Sequence, residues 1–281
     1  MLKKILYLLL PYILIQSCTE RIDLDLEVME PLPVITGIIS NEEQWIRLST
    51  TSAYIDGKGK TISDAEVIVS DGINSYVLHE SFIDKGLYIP MSEISIKQDS
   101  EYKLTVRADF AGNGIKEEYH AASKVARTPE LDSVTVQVTR MFDDLLWFVQ
   151  INFQDVNHPN SYLCRVYVNN VPDIAFDAYE IFDNRYGQGE YMSHKLIKVV
   201  FEHPFTEEKI QIGDVIRVNF SGITKDYFNF LYSAMKEVGG GNPLFSGPPA
   251  NVKGNISNGA LGVFTVYLSS SLSVVITDIY D

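Results

Sequence analysis

From residue 34 onward the chain alternates apolar and polar positions in short runs, and turn-forming residues separate those runs. "QWIRLST", "EVIVS", "SYVLHE", "GLYIP", "EYKLTVRAD" and "KEEYHAAS" each carry the period of two expected of a half-buried strand. Asp56-Gly57, Asp71-Gly72, Lys85-Gly86 and Gly112-Asn113-Gly114 stand between them, where glycine supplies the positive φ of tight turns. "RTPELDS" (127–133) interrupts the pattern with proline and charge and is read as a linker. A second β series follows: "SVTVQVT", "LLWFVQINFQD", "SYLCRVYVN", "HKLIKVVFE", "DVIRVNFS", "LGVFTVYLS" and "SVVITD". One stretch changes period. Tyr227, Leu231, Ala234, Met235 and Val238 recur at helical spacing, with Thr224 as the N-cap and Gly239 at the exit. The pattern predicts a mostly β protein in two tandem parts. An N-terminal β-sandwich spans 34–126, and a C-terminal sandwich-like domain spans 134–281 with one amphipathic helix near 225–238.

The first 33 residues differ. "MLKK" is a short basic start, and "ILYLLLPYILI" is an apolar run too short for a transmembrane helix and broken by Pro11. Residues 1–17 therefore read as an export signal and 18–33 as a tether. Ser17 before Cys18, with Ile15 behind it, resembles the lipobox of bacterial lipoproteins, in which the cysteine is acylated and becomes the new N-terminus. The other reading of Cys18 is a disulfide to Cys164, the second cysteine of the chain.

Length and composition fit this picture. The 281 residues are 46% hydrophobic and 21% charged, ordinary for a globular protein, and 16 Tyr with 14 Phe lean toward β structure. Lys3 and Lys4 are the only charges before Cys18, so removing the signal moves the formal charge from −14 to −16. Such a surface repels nucleic acid and disfavours anionic lipid.

Catalytic and metal-binding patterns are weak. The five histidines show neither H-x-H nor H-E-x-x-H spacing, so no zinc site, other metal site or cofactor is read. "SAMK" (233–236) fits S-x-x-K without its companion motifs and sits mid-helix, on what reads as a solvated face. "GGGNPLFSGPP" (239–249) leaves a helix C-terminus, where the dipole repels phosphate, and reads as a surface loop. "DVNHPN" (155–160) lacks the features of a calcium loop and reads as a turn. "DAYEIFDNRYGQGEY" (177–191) sets aromatic residues among turn formers. Together with 239–251 it is expected to form a contact region, with Phe182, Tyr186 and Phe245 as candidate ligand- or partner-binding anchors.

Several segments resemble the Bacteroidetes outer-membrane lipoproteins of domain-of-unknown-function family 4249. They are "CTERIDLDL", "ITGIIS", "RLSTTSAY", "DAEVIVSDG", "GLYIP", "EYKLTVRA", "TPELDSV" and above all "NPLFSGPPANVKGNISNGALGVF". The resemblance implies an immunoglobulin-like or carboxypeptidase-regulatory-like first domain and genes beside TonB-dependent transporters. It supplies no catalytic residue. "DSV" (132–134) also fits the short O-glycosylation pattern of Bacteroidetes exported proteins, marking Ser133. The expected function is that of a non-enzymatic binding accessory to a TonB-dependent transporter, lipid-anchored at Cys18 in the outer membrane and facing the cell surface. The alternatives are a surface hydrolase with paired carboxylates and an adhesin or envelope-structure module.

Overall fold

Alternation in the first half becomes seven strands: β1 (Pro33–Ile39), β2 (Gln44–Thr50), β3 (Glu66–Ser70), β4 (Ser75–Glu80), β5 (Leu87–Pro90), β6 (Glu101–Ala108) and β7 (Glu117–Lys124). In β6, for example, Tyr102, Leu104, Val106 and Ala108 are buried, while Glu101, Lys103 and Arg107 face solvent. The structure, a computed structural model, describes residues 30–52, 59–142, 144–172, 179–202, 210–239 and 251–277. Pro31–Asp281 forms one compact unit.

All seven strands pair antiparallel, in the order β1-β2-β5-β4-β3-β6-β7. An eighth strand, β15 (Phe264–Val266), pairs parallel with β1. The stretch "LGVFTVYLS", expected in the second β series, thus supplies an edge of the first sheet. Its alternation is the same wherever it docks, so periodicity could not place it. The sheet folds over a core that includes Ile35, Ile46, Leu48, Val67, Tyr88, Tyr102 and Phe264.

Side chains join its two end strands, β7 and β15. Asn255 donates through Nδ2 to the carbonyls of Ala122 (3.1 Å) and Phe264 (2.8 Å) and accepts from the Phe264 N–H at 2.9 Å. Ser257 Oγ accepts from the His120 N–H, and Ser123 Oγ from the Val266 N–H. Close backbone approach explains the glycines of "GNISNGALG". A Cβ on Gly262, at φ +97°, would sit 2.2 Å from the Ile35 carbonyl oxygen, and one on Gly254 would sit 1.6 Å from that of Gly262.

The second half is built from two sheets. One has the order β13-β9-β8, from β8 (Ser133–Met141), β9 (Asp144–Gln154) and β13 (Tyr191–Glu202). The other centres on β10 (Ser161–Val168), with β14 (Val215–Ile223) and then β16 (Ser269–Val275) on one side. β11 (Val171–Pro172) and β12 (Tyr179–Asp183) share its other side. Trp147, Val149, Ile151, Phe153, Tyr162, Val218 and Phe220 fill the core of this half.

The single helix among the described residues, α1 (Lys225–Gly239), starts where expected, and Thr224 Oγ1 accepts from the Tyr227 N–H at 3.2 Å. Its apolar face buries Tyr227 and Leu231 against Leu163 and Ile223 of the second half and Ile38, Val263 and Tyr267 of the first sheet's surroundings. Ion pairs reinforce that junction. Arg165 meets Glu43 at 2.6 Å and Arg217 meets Glu42 at 3.3 Å, and Trp45 Nε1 also donates to Glu43.

Candidate functional site

Where β7 ends and the chain crosses toward β8, a cleft of about 630 Å³ opens between the first sheet and the second half. Asp99, Lys124 and Arg127 line one wall, and His158, Asp183, Arg185 and Lys225 line the other. Four cations thus face two carboxylates in a chain whose formal charge is −14.

Hydrogen bonds fix the walls and tie them to each other. Asn160 Nδ2 donates to the Arg127 carbonyl at 2.7 Å, and Thr128 Oγ1 accepts from the Gly222 N–H while donating to the Leu268 carbonyl. Asn184, buried, donates to Asp155 Oδ2 and to the His158 carbonyl, both at 2.9 Å, and accepts from the Asn160 N–H at 2.8 Å. Asp155 also accepts from the Tyr162 hydroxyl and the Val156 N–H. "DVNHPN" is therefore a turn locked by a buried polar network, with every Asp155 oxygen occupied. Burial and the Asp155 carboxylate push the Tyr162 phenol well above its usual range.

Asp183 is the electrostatic centre of the cleft. Arg185 forks onto its two oxygens at 2.8 and 2.7 Å, and Lys225 Nζ lies 3.2 Å away. The Arg185 guanidinium holds the Asp183 carboxyl well below the usual carboxylate range, outweighing partial burial, and Lys225 adds to the effect. Asp99 pairs with Arg127 at 3.1 Å. Among the described residues no group of three or more His, Cys, Asp or Glu is arranged to hold a metal.

The candidate anchors have separate fates. Phe182 packs in an aromatic cluster, with ring centroids 5.2 Å from Tyr162 and 6.3 Å from Phe220, and Lys195 Nζ lies 4.5 Å above its ring. Tyr186, in the turn after β12, is 95% exposed beside Arg185. Phe245 and Cys18 lie outside the described residues. Ser133, half-buried at the start of β8, accepts from Asn152 Nδ2 at 2.9 Å. Cys164 is a free, buried thiol whose pKa burial pushes upward. Ser233 is exposed on α1, and Lys236 stacks over Tyr232.

Sequence reasoning singled out the Asp177–Tyr191 segment for its rings and passed over its charges. Arg127, Asp183, Arg185 and Lys225 were missed because each is an ordinary polar residue at an element boundary. The readable signal was several basic residues at strand and helix ends in an acidic chain.

No curated protein matches the chain. The family Domain of unknown function (DUF4249) matches over residues 19–273, nearly everything after the first cysteine. With the sandwich halves, the seam at Asn255 and the cleft described, the chain belongs to the DUF4249 family.

Proposed function

We propose that the protein is a non-enzymatic, lipid-anchored binding protein of the outer membrane that captures an anionic ligand in its cleft for a TonB-dependent transporter. The observation that carries this reading is the cleft itself, with four cations against two carboxylates and walls fixed by buried hydrogen bonds. Arg127 and Arg185, though paired with Asp99 and Asp183, keep further N–H donors suited to carboxylate or phosphate, and Lys124 and Lys225 add point charges. The hydrolase alternative needs one carboxylic acid that keeps its proton near neutral pH. Asp183 is pushed the opposite way, so it is not suited to be that acid. Acylated Cys18 would supply the anchor, since two or three chains hold a protein on a membrane stably.

The test is calorimetric titration of the purified protein with citrate and with inorganic phosphate, alongside co-purification with outer-membrane transporters. Arg185→Ala combined with Lys225→Ala should weaken anion binding at least about tenfold, since a charge-assisted hydrogen bond contributes about 1.5–3 kcal/mol. Unchanged affinity in the double variant would overturn the ligand assignment. Recovery without any transporter barrel would overturn the partner assignment.

A further inference from the structure

We propose that the end of the first sheet opposite the cleft is a membrane-contact surface, with its loop tips seated among the headgroups of a lipid bilayer. The proposal rests on the anchored reading of Cys18. Strand pairing fixes which turns share this end. Pro33 opens β1 opposite Thr50, the last residue of β2. The β4–β5 turn follows Glu80 and the β6–β7 turn follows Ala108, both at the level where β3 begins.

Large apolar side chains project from these two turns. Phe82 and Ile83 are each 98% exposed in the first, and Ile115 is 67% exposed in the second. None belongs to a core cluster. The turns that present them are braced internally. Ser81 Oγ accepts from the N–H groups of Ile83 and Asp84, and Arg47 pairs with Asp84. The Asp109 carboxylate accepts from the N–H groups of Gly112, Asn113 and Gly114, and Asn113 Oδ1 accepts from that of Ile115. Backbone polar groups that are already bonded lower the cost of leaving water, and a braced turn loses little entropy on docking.

The path of the chain argues for lipid as the occupant. The polypeptide enters the sheet at Pro33, at this same end. From Cys18 to Pro31 the chain spans at most about 45 Å even when fully extended. An acylated cysteine would keep this end within reach of the bilayer and raise its effective concentration there. The cleft, at the far end, would then face away from the membrane.

The experiment uses full-length lipidated protein in phosphatidylcholine vesicles. A polarity-sensitive fluorophore is placed at Ile83→Cys and, as a control, at Ile73→Cys in the exposed β3–β4 turn of the other end; Cys164 is buried and spared from labelling. Seating in the bilayer should blue-shift the probe at 83, and lipids with spin labels high on the acyl chain should quench it several-fold more than the probe at 73. Equal quenching at both sites, or none at 83, would overturn the proposal. Fatty-acid labelling of the same preparation reports the anchor separately. Label present without quenching at 83 overturns the contact alone, and label absent overturns the anchor and the contact with it.

Discussion

Phe182 and Tyr186 are separated by one turn and meet opposite environments. Phe182 lies against Tyr162 and Phe220, whereas Tyr186 is almost fully in water. Phe182→Ala should therefore lower stability by about 3 kcal/mol in chemical denaturation, near the lower bound for a core phenylalanine. Tyr186→Ala should leave the transition where it is. Equal effects would mean that the turn after β12 is misplaced. Asp183 makes a second test at this scale. Its folded-state pKa lies below the unfolded value of about 3.9, so the stability it contributes is present above that value and lost as pH falls through the folded one. Acid titration of thermal stability from about pH 5 to pH 2 should show a loss that Asp183→Asn flattens. Parallel acid limbs in the two proteins would refute the ion-pair assignment. Neither contrast was legible in sequence. Every residue of β12 is half-buried, so that strand carries no clean inside-outside alternation to rank its rings.

At the level of elements, the seam between β7 and β15 is held by side chains where a backbone ladder would serve in a closed barrel. Asn255→Ala would strip the Phe264 N–H and the Ala122 carbonyl of their partners. A loss of about 2 kcal/mol is expected, measured by urea unfolding with an unchanged slope. No measurable loss would show that water replaces the amide freely. Most elements were readable because their signals are local. The strands of the first half follow a period of two, and α1 follows from its apolar spacing and the Thr224 cap. The partner of β15 was not readable. Three residues carry no register, and their mate β1 stands more than two hundred positions earlier. The cleft was hidden for a related reason, since its charges are brought together from Asp99, Arg127, Asp183 and Lys225 only by the fold.

For the molecule as a whole, the decisive feature is that the first sheet takes its last strand from the far end of the chain. A fragment ending at Ser133 would leave both β1 and β7 with open edges and would remove Ala260, Phe264 and Val266 from the core cluster. Such a fragment should show no cooperative thermal transition in circular dichroism, and a sharp one would show the seam to be dispensable. The same topology bears on the order of events during biosynthesis. A chain made from its N-terminus cannot complete its first sheet until Val266 has emerged, so that sheet stays unfinished until most of the chain has been made. Contacts of such long range fold slowly. Under the export proposed above, which needs an unfolded chain, that delay would be protective: the first sheet would close only after Val266 had crossed.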